Sequence, residues 1–172
     1  MPSNKPRLYV AIYRNGARNN EQREYHWGFL IGPKLENTQR IPALKIHVRR
    51  SAWGWNLEEH RLWDVRATPT LLARILIAKI EDMNRLIGVL DRVGIVPGDP
   101  SWTSRHWVAG AVADIARDGR CVGTAELDWL RIQARGRQYV RAKFQTGRYG
   151  DELPLFELKP TWDMLKNMET VP

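Results

Sequence analysis

Tyr25-His26-Trp27-Gly28-Phe29-Leu30-Ile31-Gly32 is an alternating, aromatic-rich run closed by Gly32-Pro33. Its composition and period of two predict a β-strand with two unlike faces. Tyr25, Trp27, Phe29 and Ile31 share one face, and His26, Gly28 and Leu30 share the other. Gly28 beside His26 leaves room for something to approach the imidazole.

Upstream, Arg7-Leu8-Tyr9-Val10-Ala11-Ile12-Tyr13 predicts a first strand, with Asn15-Gly16 and Asn19-Asn20 marking a polar loop. Downstream, Ala43-Leu44-Lys45-Ile46-His47-Val48-Arg49 predicts a third strand. There Leu44, Ile46 and Val48 share a face and His47 points away with Lys45 and Arg49. A core position for His47 then requires that the second face is also covered. Trp53–Glu59 and Leu62–Arg66 read as a hairpin-like pair. Leu72–Lys79 is open between a buried strand and a helix, and the favoured reading is a strand leading into a helix over Glu81–Val93, where Met83, Leu86, Ile87 and Leu90 form an apolar stripe.

Beyond the Pro97-Gly98-Asp99-Pro100 turn, Ser101-Trp102-Thr103-Ser104-Arg105-His106-Trp107-Val108 opens a helix over Thr103–Asp118. Trp107, Val108, Ala111, Val112 and Ile115 recur at helical spacing, and Gly119 suits the position after the helix. Ser104 falls at the helix start, where free N–H groups and the positive end of the dipole favour an anion. A third helix is expected over Ala125–Thr146, then an irregular tail from about residue 147 around Phe156 and Trp162. Strands first and helices afterwards predict an α+β domain spanning residues 1–172, an antiparallel sheet packed on about three helices.

The totals narrow the function classes. At 172 residues with 43% hydrophobic and 27% charged content, the chain is long enough for a real core and is not expected to be disordered. The net charge of +8 comes from 27 Lys and Arg against 19 Asp and Glu, spread along the chain. That spread predicts a solvated basic surface, not a nucleic-acid site. Eight tryptophans supply candidates for core and for pocket walls. The single Cys121 has no zinc spacing around it and is expected to be structural. No signal-peptide core and no membrane-length apolar run are seen, so the expected location is cytoplasmic. No metal cluster or phosphate-binding Gly-rich loop is seen, so no cofactor and no metal are expected.

Two histidines on neighbouring strands and a serine at a helix start are the parts of a nucleophile, a base and an orienting group. If the strands pair, the imidazoles lie on one face, and a helix packed across that face would bring Ser104 to them. The runs His26–Gly32, Ile46-His47-Val48 and Thr103–Val108 resemble the motif series of the permuted papain-like enzymes. The nearest pattern is that of the lecithin–retinol acyltransferase branch: a His-Trp strand ending in Gly, an Ile-His strand and an Asn-Cys-Glu-His-Phe-Val helix start. The resemblance implies a permuted papain-like fold, with His26 matching the general base and His47 the group that orients it. Ser104 matches the position of the acyl-forming Cys, and His106 the motif histidine two residues later. Most of the chain is also similar to a group of small fungal proteins, a likeness that brings no activity with it.

The departure is at Ser104, where the family has a thiol. A serine hydroxyl carries essentially no anion at neutral pH. Three explanations stay open: a working serine nucleophile, a pocket turned to non-covalent use, or an introduced replacement. The leading expectation is a cofactor-free cyclase or pericyclase-type catalyst of secondary metabolism, acting on a small apolar or carboxylate-bearing molecule. His26, His47 and Ser104 are its expected catalytic groups, and Trp27, Trp102, Arg105, His106 and Trp107 its expected substrate-binding groups. The alternatives are acyl transfer or hydrolysis through Ser104, His26 and His47, and a binding module on the same scaffold.

Overall fold

The computed structural model describes residues 4–15, 25–37, 39–150 and 157–172. Gly16, Asn19, Asn20 and Phe156, to which the sequence assigned a loop and a tail anchor, lie outside the described residues. The strands are β1 (Arg7–Arg14), β2 (Tyr25–Gly32), β3 (Ala43–Ser51), β4 (Gly54–Leu62), β5 (Leu71–Ile80), β6 (Val122–Ala125), β7 (Thr161–Asp163) and β8 (Met168–Val171). The helices are α1 (Met83–Asp91), α2 (Ser104–Asp118) and α3 (Trp129–Gln145).

Among the described residues one eight-stranded sheet runs β4-β3-β2-β1-β5-β7-β8, with β6 also on β5. With the three helices this is α+β. Pairing is antiparallel except between β5 and β7, which run parallel, so the expected all-antiparallel sheet holds for every other pair.

Three expectations need correction. The hairpin near Trp53 joins β3 to β4, pairing Arg50 with Trp55 and His47 with Glu58. Leu62–Arg66 is not its second arm. The Asp64 carboxylate accepts from the Arg66 amide at 3.0 Å and from its guanidinium, curling Val65–Ala67 into a 3-10 turn. The third helix starts four residues later than expected. Asp128 caps it by accepting from Arg131 N at 3.3 Å, while Val122–Ala125 is drawn onto β5.

The tail is not irregular throughout. Trp162 pairs with Ile75, and the turn into β8 is closed by the Asp163 carboxylate, which accepts from Leu165 N and Lys166 N at 2.8 and 3.1 Å. Asn167 completes that turn with φ of 53°, a left-handed conformation Asn tolerates.

Alternation along the strands sorts the sheet into two faces. Val10, Ile12, Trp27, Phe29, Ile46, Val48 and Ile75 face the helices and pack with Leu86, Leu90, Trp107, Val108, Val112, Ile132 and Val140. Phe29 meets Trp107 edge-on at 5.6 Å. Gly136 lets α3 approach closely, since a Cβ there would stand 2.8 Å from Ile12 Cδ1. The other face carries a smaller cluster of Tyr9, Ala11, Tyr13, Leu30, Ile41, Val65 and Leu71.

Candidate functional site

His26 lies on the second face. It is the cross-strand partner of Tyr13, whose ring is 5.8 Å away. The β2–β3 ladder runs from Ile31 paired with Leu44 to Phe29 paired with Ile46. One step further, Gly28 comes beside His47, and a Cβ on Gly28 would stand 2.9 Å from His47 Cβ and 3.3 Å from Ile46 O. The space left by Gly28 is thus filled by His47 itself. As a result His26 Nε2 and His47 Nδ1 lie 2.8 Å apart, with the rings nearly perpendicular at 83°.

His47 is buried, at 5% exposure, because the second face is covered here. Tyr13, with Lys45 Nζ 4.2 Å from its ring centre, and His60, 5.7 Å from the His47 ring, continue a polar row along this face. Burial first, then the neighbouring imidazole and Lys45, holds His26 down at about 3. Burial, reinforced by Lys45 and opposed by Glu58, holds His47 at about 4. Both rings are therefore neutral at pH 7, and one must donate to the other.

Helix α2 packs on the opposite face, against Trp27 and Phe29. This corrects the expectation of a helix laid across the imidazoles. Its first residue still reaches the sheet edge-on. The Trp27 N–H donates to Ser104 Oγ at 3.1 Å, beyond the point where the β2–β3 ladder has ended. Ser104 is buried and makes no hydrogen bond to either histidine.

His26 and Ser104 nonetheless open on one cavity of about 510 Å³. Tyr25, Trp55 and Trp102 supply aromatic wall, with Trp55 and Trp102 edge-to-face at 5.6 Å. Arg49 and Arg50, exposed at the end of β3, Thr103 at the α2 N-terminus, Asn15 and Pro100 complete the lining.

Of the five expected substrate-binding residues only Trp102 lines this cavity. Trp27 and Trp107 are 1% exposed and belong to the helix-side core, where Trp27 meets Trp129 at 5.5 Å. His106 caps its own helix, its Nδ1 accepting from Thr103 N at 3.0 Å. Arg105 is half-buried beside the site but does not line it. Cys121 is fully buried and burial pushes its thiol up to about 11, in keeping with a structural role.

Sequence reasoning passed over Arg50 and Tyr25 as lining groups, and Glu58 and His60 as neighbours of His47. The pattern Glu58-Glu59-His60 was the available signal, since residues two apart on a strand share a face.

No helix among the described residues is long and apolar enough to cross a membrane. Neither a curated protein nor a solved structure matches this chain. Residues 5–171 match a family of unknown function, DUF6914, and the chain belongs to that family.

Proposed function

We propose that the cavity is a site where a small apolar molecule bearing a carboxylate is held and rearranged without cofactor or covalent intermediate, a cyclase or pericyclase-type activity. The observation that carries this reading is the joint lining of one 510 Å³ space by His26, Ser104, three aromatic rings and two guanidinium groups. Tyr25, Trp55 and Trp102 fold an unsaturated chain into a reactive shape, the contribution that proximity and orientation make to ring closure. Arg49 and Arg50 grip the carboxylate by charge-assisted hydrogen bonds. The N-terminus of α2 faces charge that develops during the reaction. His26 serves as a neutral hydrogen-bonding group towards the substrate.

The permuted papain-like resemblance belongs to this proposal as the ancestry of the cleft, with the thiol chemistry given up. Two features favour the non-covalent reading over acyl transfer. The Ser104 hydroxyl is engaged by the Trp27 amide and not by a base. An imidazole held near 3 is also a weak base for activating a hydroxyl at neutral pH.

The test is turnover of a panel of unsaturated carboxylic acids, followed by product analysis and intact-protein mass spectrometry. Ser104→Ala should keep turnover while losing about 1–3 kcal/mol of stability, because the Trp27 N–H loses its acceptor. Arg49→Ala with Arg50→Ala should abolish the preference for the acid over its ester. A mass increase matching an acyl group, lost in Ser104→Ala together with all activity, would instead establish the serine acyl-transfer reading.

A further inference from the structure

We propose that His47, Glu58 and His60 form a binding site for a divalent transition-metal ion, with zinc as the ion that best suits their donor set. The ligands come from both strands of the β3–β4 hairpin. His47 is the cross-strand partner of Glu58, and His60 lies two residues along β4 on the same face, opposite Lys45. Their donor atoms lie within 4.8 Å of one another.

The distances suit a shared ion. His47 Nε2 is 3.4 Å from Glu58 Oε2, and His60 Nε2 is 2.9 Å from the same oxygen. Two ligands each 2.0–2.1 Å from a tetrahedral zinc stand about 3.3 Å apart, so both separations need only small adjustment. Two imidazoles and one carboxylate leave a fourth position open, towards solvent on the edge strand.

The independent observation is His47 itself. Its side chain is 7% exposed, and its Nε2 is buried with no hydrogen-bond partner. A buried polar nitrogen left unsatisfied costs stability, and the atoms it faces are those of Glu58 and His60. Its other nitrogen is held by His26 at 2.8 Å. That is the outer-shell support metal-bound histidines use to fix their ring and tautomer. With Nε2 on a metal, Nδ1–H must donate, so His26 Nε2 becomes the acceptor. Lys45, the nearby cation on β3, is turned onto the Tyr13 ring. His60 is more than half exposed and can shift its proton to Nδ1 to free Nε2.

The expectation of no metal rested on linear spacing. Ligands gathered across a hairpin are separated by the turn and leave no compact motif. The site is independent of the cavity reading, because zinc uptake is measured without substrate.

The test is titration of zinc chloride into the chelator-treated, dialysed full chain by calorimetry, with cobalt(II) absorption as a second readout. One zinc should bind per chain. Glu58→Gln and His60→Ala, both on the exposed edge strand, should each weaken it by more than tenfold and remove the cobalt bands. His26→Ala should weaken it by the ~10–100-fold typical of a lost outer-shell partner. Glu59→Gln, exposed and on the other face of β4, should leave affinity unchanged. With the fold intact by circular dichroism, absence of saturable binding overturns the proposal. So does binding that neither Glu58→Gln nor His60→Ala weakens.

Discussion

The two faces of strands β2 and β3 are built from alternate residues of the same few turns of chain, yet they do different work. Trp27, Phe29, Ile46 and Val48 seal against α2 and α3 in a wholly apolar layer. His26 and His47, one residue away from them, meet Tyr13, Lys45, Glu58 and His60 in a row of groups that hydrogen-bond or ionise. The apolar face stabilises the fold by removing area from water. The polar face costs desolvation, which its members offset only through one another. The difference places the larger apolar core on one side of the sheet, and a smaller apolar cluster with the titratable row on the other.

The sharpest way to break that division is Trp27→Ala. It removes a large side chain at 1% exposure that packs against Trp129 and the Gly136 notch, leaving a cavity. A loss of about 3–5 kcal/mol is expected from urea unfolding. A loss below about 1 kcal/mol would mean that the helix face is not the main store of stability.

Gly28→Val tests the joint between the faces. The added Cβ would meet His47 Cβ at 2.9 Å and Ile46 O at 3.3 Å, both on β3. The strands must part or His47 must leave, costing about 1–3 kcal/mol as overpacking does. Zinc uptake should fall with it. Unchanged imidazole resonances in an NMR spectrum of the variant would show that His47 does not need this gap.

Acid should act through the polar face. In the metal-free chain His26 and His47 titrate near 3 and 4, against about 6.5 unfolded. Between those values the unfolded chain binds more protons, so stability rises with pH. The contribution is complete above about pH 6.5 and is lost as pH falls towards the folded values. The urea midpoint should therefore drop between about pH 7 and about pH 5, and His26→Gln should reduce the drop. An equal drop in that variant would place the acid sensitivity elsewhere.

Where local chemistry decides structure, the chain was readable. Strands β2 and β3, helix α2 with its Gly119 cap at φ of 70°, and the separation of His47 from Ile46 and Val48 follow from periodicity and capping. The burial of His47 did not follow, because it depends on what covers the second face. The side on which α2 docks is likewise set by the apolar area of Trp27 and Phe29, a tertiary choice. Strands β6, β7 and β8 are only three or four residues long; β6 and β7 form because β5 offers them hydrogen-bonding edges, and β8 because β7 does. The histidine pair was legible as two residues on one face. Their contact through the Gly28 gap needed the register, and the Glu58–His60 neighbours needed the hairpin.

The smallest expected change in stability tests the division most directly. His60 has about half its side chain in water and, among the described residues, hydrogen-bonds to Glu58, itself on the edge strand. In chelated protein His60→Ala should shift unfolding by no more than about 0.5 kcal/mol, the usual range for an exposed position. The same substitution should remove most of the zinc affinity. Loss of the metal site without loss of the fold would show that the polar face is kept for binding, since nothing in the core depends on that imidazole. If His60→Ala instead destabilised the chelated chain as much as Gly28→Val, the ring of His60 would be part of the cover that keeps His47 buried. The polar row would then belong to the architecture as fully as Trp27 does.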